Sequence, residues 1–362
     1  MEQINDSFAL LDLMARPAFC VKDGTVLRAN REAQKRNLKE GMSVNDILLT
    51  GSSEYNQFQS GCLYLTLQIA GIPCGASVTR MDNFDVFLLE QDEDLEQLQT
   101  MALAAQELRQ PLTNVMTTAD HLFPLSCEDA DTSMQDQIAR INRGLFQMQR
   151  IISNMSDAYR YCQDIVTRQE VRDVCSIMRE IFLSAAPLVE HVGMHLDYLG
   201  PEESICCLVD YEKLERAVNN ILSNALKFTP VGGTIEARLT RSGNMLYLTV
   251  QDSGAGIPDG IRSSIYSRYR RAPGIEDSRF GIGLGMVLIR SAAAAHGGTV
   301  LMEQSEERGN RLTMTLSIRQ TSENILRSGS TFLIDYAGGR NHRLLELSES
   351  LPAELYQKEN WN

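Results

Sequence analysis

The sequence predicts a multidomain α+β protein. It comprises a strand-rich N-terminal α/β module, an antiparallel helical hairpin forming a dimeric four-helix bundle, and a C-terminal α/β sandwich. Three observations carry this. Short apolar runs punctuated by turn residues fill positions 1–90. Two unbroken heptad seams follow between 98 and 162. From about 170 onward strand and helix patterns alternate, interrupted by two glycine-rich loops.

In the first module, 1–90, Lys22-Asp23-Gly24 separates strands at 17–21 and 25–27 and reads as a hairpin turn, because glycine accepts a positive φ. Positions 64–70, 75–80 and 84–89 read as three further strands, giving an antiparallel sheet with small helices on one face. The most apolar region, 62–78, is interrupted by Gln68, Gly71 and Pro73, and no segment reaches the ~18 apolar residues of a membrane span. The N-terminus lacks the basic-then-apolar profile of a signal peptide. The eight cysteines show neither CxxC spacing nor nearby histidines, so no metal site or disulfide framework is expected. Cys206-Cys207 reads as a pair of buried strand residues, and a reducing cytoplasm is the expected compartment.

The hairpin is placed at 91–165. Leu98, Met101, Ala105, Leu108, Leu112, Val115, Ala119 and Leu122 form one seam, with spacings alternating between three and four. Ile138, Ile141, Leu145, Met148, Ile152, Met155, Tyr159 and Cys162 form the second. Pro111 should bend the first helix, and 124–131 should end it. A lone hairpin leaves much of each seam wet, which predicts a homodimer. Packing of the hairpin on the other domains of the same chain is the alternative.

The region 166–320 reads as a helix over 173–192, strands at 195–198 and 205–209, and a helix to 228 capped by Asp210. Strands at 233–240 and 245–251, a helix over 286–296 and strands at 298–303 and 311–318 complete it. The tail, 321–362, offers one short helix at 344–351 and no assignable role. A formal charge of -13 argues against non-specific nucleic-acid binding, which needs a basic face.

Three short motifs carry the chemistry. Asn220, Asn224 and Lys227 lie at i, i+4 and i+7 on one helix face. Amide oxygens suit Mg2+ shared with phosphates, and a lysine one turn on contacts phosphate as a point charge. Taken alone, this reads equally well as a polar surface face. Asp252, Gly254 and Gly256 follow an apolar strand. The glycines let a flat ligand approach, and the carboxylate can accept an exocyclic amine, although a simple turn has the same composition. Gly281-Ile282-Gly283-Leu284-Gly285 opens a helix whose N-terminus favours phosphate, without the βαβ unit of a dinucleotide site.

In this order the three pieces resemble the ATP-binding domain of sensor histidine kinases, the Bergerat-type ATPases. Tyr266 and Tyr269 fall at the aromatic places of that family's F box, and His296-Gly297-Gly298 is similar to its HGG turn. The resemblance spans roughly 93–320. It implies ATP and Mg2+ as cofactors, with Asn220 and Asn224 binding ATP-bound Mg2+ (Asn224 as metal ligand) and Asp252 reading adenine. Gly254, Gly256, Gly281, Gly283, Leu284 and Gly285 would form the nucleotide loops, and 271–280 a lid. Residues 1–90 resemble a PAS-type sensor module on thinner grounds, Asp23-Gly24 and Asn30; a small packing domain without a ligand fits as well.

The family's other half is a dimeric hairpin whose H box reads His-Glu-Leu-Arg-Thr-Pro-Leu. Here the match is Gln106-Glu107-Leu108-Arg109-Gln110-Pro111-Leu112: the frame is kept and the phosphoacceptor histidine is replaced. A glutamine amide nitrogen has its lone pair delocalised into the carbonyl, so it is neither base nor nucleophile. Glu107, at the place of the assisting acid, would have no proton to take. His121 lies fifteen residues on, about 22 Å along the axis, too far for the same docking pose. Gln110 could orient water as the family's Thr or Asn does in hydrolysing a response regulator's aspartyl phosphate, or be an ordinary solvated residue. The expectation is a histidine-kinase-family protein that binds Mg-ATP, has lost autophosphorylation, and acts as a regulatory pseudokinase or response-regulator phosphatase. A kinase acting on a partner chain's histidine and an ATP-independent scaffold are the alternatives.

Overall fold

The computed structural model describes residues 11–81, 83–122, 132–163, 168–256, 266, 283–305, 309–319 and 340–357. Strands β1 (Ala18–Lys22) and β2 (Thr25–Ala29) form the expected hairpin, with Asp23 at φ 51° and Gly24 at φ 74° supplying the two left-handed residues of a tight turn. Asn30 then caps α1 (Arg31–Lys35), accepting the Ala33 N–H at 2.9 Å, and also accepts the Ala18 N–H at 3.0 Å. After α2 (Ser52–Gln57), β3 (Cys62–Ile69), β4 (Ile72–Arg80) and β5 (Asp85–Leu89) complete five antiparallel strands in the order β2-β1-β5-β4-β3. Their core centres on Phe19 and Phe87, stacked at 4.6 Å.

Helices α3 (Asp92–Leu122) and α4 (Thr132–Gln163) pair with each other, and α3 runs through Pro111 as one helical span. The expected break at 124–131 lies outside the described residues. Ala105, Leu112 and Ala119 are buried with Leu145 and Ile152, and Leu98 is buried with Ala158 and Tyr161, whereas Leu108, Val115, Ile141 and Met148 are about half exposed.

Next come β6 (Glu170–Asp173), α5 (Val174–His191), β7 (His195–Leu199), β8 (Cys206–Val209) and α6 (Tyr211–Phe228). They are followed by β9 (Thr234–Ser242), β10 (Met245–Asp252), α7 (Leu284–Ala295), β11 (Val300–Gln304) and β12 (Asn310–Ser317). Asp173 and Asp210 cap α5 and α6 through their side chains, the second as the sequence predicts. Sequence periodicity missed β6, whose partner β8 pairs Asp173 with Cys206 and Glu170 with Val209. Helices α5, α6 and α7 bury their apolar faces on strands β9–β12, and β7 joins β9 in parallel.

The modules read separately at 1–90 and 166–320 share a single ten-stranded sheet. Edge strand β3 pairs with β11, Tyr64 opposite Val300 and Cys62 opposite Met302. Two edges with unpaired N–H and C=O groups satisfy each other in this way. The buried Tyr266 hydroxyl lies 3.0 Å from the Cys62 carbonyl and 2.9 Å from that of Val300, so its proton is shared across the junction. Arg290 of α7 pairs with Glu90 at 2.8 Å, at the exit of β5.

The tail, read as one short helix at 344–351, forms α8 (His342–Glu346) and a 3-10 turn (Ala353–Tyr356) instead. Leu344, Leu345, Leu347, Leu351 and Tyr356 are buried in the main core. Among the described residues no helix is long and apolar enough to cross a membrane.

Candidate functional site

Three elements converge at the candidate site. Helix α6 contributes Asn220, Asn224 and Lys227 from one face. Its first turn is fixed by Asp210, which accepts the Lys213 N–H at 3.1 Å and donates its own N–H to His296 Nε2 at 2.9 Å. His296 Nδ1 lies 2.7 Å from the Ala292 carbonyl, which assigns the neutral Nδ1–H form; burial holds the imidazole below its ordinary pKa. His296 therefore ties the end of α7 to the start of α6.

Asn220 is buried. Its Nδ2 donates to the Arg216 carbonyl at 2.8 Å, leaving Oδ1 turned toward α7. There Gly285 has no side chain, and a Cβ would come within 3.0 Å of that oxygen. Asn224 reaches the Met286 sulfur at 3.8 Å. Gly283, the α7 N-cap, takes φ 81° and opens the helix N-terminus, while Gly281 lies outside the described residues, as do Tyr269 and 271–280. Leu284 departs from its expected place: its side chain packs into a cluster with Leu98, Ala158 and Tyr161 of the hairpin, so only its backbone can serve a ligand.

The third element is the end of β10. Asp252 accepts the Gly254 N–H at 2.9 Å and the Asn310 N–H at 3.2 Å, and burial raises its carboxyl above the usual range against those donors. A Cβ on Gly254 would overlap the Phe228 carbonyl oxygen, and one on Gly309 the Asp252 carbonyl oxygen. Gly256 takes φ 80°. Pro230, Ser253, Gly254, Ala255, Gln304 and Gly309 line a cleft of about 410 Å3 beside Asp252. A buried amide oxygen, an open helix N-terminus, a flat glycine-walled cleft and a lysine form a donor set that fits a magnesium nucleotide. Asn310 and Gly309 carry no motif and were not legible before folding.

The hairpin brings further residues to this site. Residues Arg143, Arg150 and Asp157 are spaced by seven on α4, on the face opposite the seam. Arg150 Nη2 lies 3.1 Å from Ser223 Oγ and 3.5 Å from Asn220 Oδ1. Arg216, fully buried, pairs with Asp157 at 2.9 Å and with Glu346. Glu349 of the tail pairs with Lys227 and, at 3.1 Å, with Arg150. Burial, and then the Arg150 charge, pull the Lys227 ammonium down toward about 7, and Glu349 is the carboxylate paired with it. None of these tail and hairpin partners was expected.

The residues read as an H box are exposed on the hairpin. Gln106, Glu107 and Gln110 are exposed on α3 between buried Ala105 and Leu112, and Gln110 Nε2 donates to Asn114 Oδ1 at 3.2 Å. Leu98, which touches α7, precedes Gln106 by eight residues, about 12 Å along the axis. His121 is exposed near the far end of the same helix.

Residues 209–320 match the family model for histidine kinase-, DNA gyrase B- and HSP90-like ATPases. The sensor histidine kinase WalK of Bacillus subtilis is 26% identical over 240 residues, covering 65% of this chain and 39% of WalK. CusS of Escherichia coli is 28% identical over 233 residues, 63% of this chain and 48% of CusS. The chain thus spans less than half the length of these relatives. The solved structure of full-length ShkA in complex with AMPPNP superposes with a TM-score of 0.50 at 18% identity, covering 63% of this chain and 47% of ShkA. An ATPase-type match over the helix and loops just described, with sensor kinases aligned well beyond it, supports a likeness of this chain to the histidine kinase family.

Proposed function

We propose that this histidine-kinase-family signalling protein binds Mg-ATP but does not phosphorylate itself, and acts as a regulatory pseudokinase or a response-regulator phosphatase. The observation that carries this is Gln106. It sits exposed at the phosphoacceptor place of an otherwise retained H box, with Ala105 and Leu112 still buried around it. Its amide nitrogen has no available lone pair. Asn220 and Asn224 would hold the ATP-bound Mg2+, Lys227 the phosphates and Asp252 the adenine amine. Bound Mg2+ supplies neutralising charge on the phosphates. Gln110, exposed and one turn beyond Gln106, is the residue placed to orient water against a partner's phosphorylated aspartate.

The half-exposed seam positions Leu108, Val115, Ile141 and Met148 support a homodimer, since a second hairpin would cover a stripe that one chain leaves wet. A five-stranded antiparallel sheet with short helices supports reading residues 1–90 as PAS-like.

Incubation of the purified chain with γ-labelled ATP and Mg2+ tests the central reading. No acid-labile, base-stable label should appear on wild type, and Gln106→His should gain it. Such label on wild type would overturn the loss of autophosphorylation. Release of phosphate from a phosphorylated response regulator, abolished in Gln110→Ala, separates the phosphatase from the pseudokinase.

A further inference from the structure

The tail reaches Lys227, which the nucleotide reading assigns to phosphate, and through Arg150 it is linked to Asn220, assigned to the metal-bound nucleotide. Glu349 pairs with Lys227 and also lies 3.1 Å from Arg150 Nη1, so one carboxylate sits between two cations. Arg150 in turn holds its Nη2 at 3.5 Å from Asn220 Oδ1. The segment is fixed there on both sides. Arg143 donates to the Ser348 carbonyl at 3.3 Å and the Glu349 carbonyl at 3.2 Å, and Gln147 donates to the Ser348 carbonyl at 2.9 Å. Asn142 holds the Tyr356 carbonyl at 3.1 Å, and the Tyr356 hydroxyl closes back on the Leu344 carbonyl at 2.7 Å. The contact is therefore built into packed structure.

Resting on the Mg-ATP reading above, we propose that residues 340–357 are an internal plug of the nucleotide site, with the Glu349 carboxylate standing in for a nucleotide phosphate. Tail docking and nucleotide binding exclude each other. Two anions cannot share Lys227 at this degree of burial without strong repulsion. A magnesium ion on Asn220 Oδ1 would face the Arg150 guanidinium, cation against cation. Because Arg143 and Arg150 belong to α4 and Lys227 to α6, the plug also pins the hairpin to the ATPase domain in one pose. Nucleotide entry requires Glu349 to leave and Arg150 to swing off Asn220, which frees the hairpin. The tail thus couples occupancy of the site to the position of the helices that carry the H box.

The test uses the full chain. Binding of Mg-AMPPNP is measured by calorimetry for wild type, Glu349→Gln, Arg143→Ala and Asn224→Ala, with folding of each checked by circular dichroism. Removing the competing charge should tighten binding in Glu349→Gln by about 10- to 100-fold. Arg143→Ala, which removes the donor to the Ser348 and Glu349 carbonyls and keeps Lys227, Asn220 and Asn224, should move in the same direction. Saturating Mg-AMPPNP should also speed amide exchange across 341–357 in wild type. Equal or weaker binding in both tail variants, or tail exchange that nucleotide leaves unchanged, overturns the plug. Wild-type binding that is lost in Asn224→Ala but not improved in Glu349→Gln rejects the plug and keeps the nucleotide site. Wild-type binding that survives Asn224→Ala rejects the nucleotide site as assigned. Absence of binding in every variant rejects both.

Discussion

Replacing Glu346 by alanine probes the buried ion network most directly. Its carboxylate is fully buried between Arg216 and Arg150, the latter at 3.4 Å from Nε. Without it two guanidiniums, 0% and 4% exposed, lose a shared carboxylate, with Asp157 at 2.9 Å from one and Glu349 at 3.1 Å from the other. Breaking one side of a buried pair costs about 3–5 kcal/mol, a large share of the ~5–15 kcal/mol that holds a domain folded. The tail can undock and admit water to both arginines, so the loss should appear there before global unfolding. At ~1.4 kcal/mol per decade, the open population of 340–357 should rise between about a hundredfold and several thousandfold. Hydrogen exchange resolved by mass spectrometry reads that ratio directly. A rise below about tenfold would refute the account of Glu346 as the tail's charge anchor. A cycle with Arg216→Met should recover part of the loss, since the second change removes one stranded charge.

Gly309→Ala should cost about 1–3 kcal/mol, because φ is 87° and a Cβ would overlap the Asp252 carbonyl; thermal melts and nucleotide binding should both fall. Tyr266→Phe removes the hydroxyl shared by the Cys62 and Val300 carbonyls and should destabilise by about 1–3 kcal/mol, with exchange rising first along β3 and β11. Burial holds His296 below its ordinary pKa of 6.5, so the folded value is depressed. Its contribution is complete above that pH and is lost as pH falls from 6.5 toward the folded value. The melting temperature should therefore fall between pH 7.5 and pH 5 in wild type, and fall less in His296→Gln. Met148→Asp, on the half-exposed seam, should leave the fold intact and convert a dimer to a monomer in analytical ultracentrifugation.

Much of this chain is legible locally. Heptad spacing placed both hairpin helices, and Asp210 announced its helix because a cap acts within three residues. Gly254 and Gly285 are readable in their motifs because each keeps a Cβ out of a crowded place, and Asn220 and Asn224 because they recur at one helical turn. The proposed loss of the phosphoacceptor at Gln106 rests on no tertiary contact, since an amide's chemistry resides in one side chain.

Tertiary structure alone decided the rest. Arg143, Arg150 and Asp157 occupy the face that a heptad pattern assigns to water, and only folding brings Arg216, Glu346 and Glu349 to meet them. Glu346 reads as an ordinary acid in a leucine-rich stretch because its partners lie 196 and 130 residues away. The joining of β3 to β11 is equally silent, since any strand edge carries the same N–H and C=O groups whatever its sequence. Periodicity and capping report on neighbours within a turn or two. Charge pairs and strand edges are satisfied by whatever the fold brings near, and that choice belongs to the whole chain.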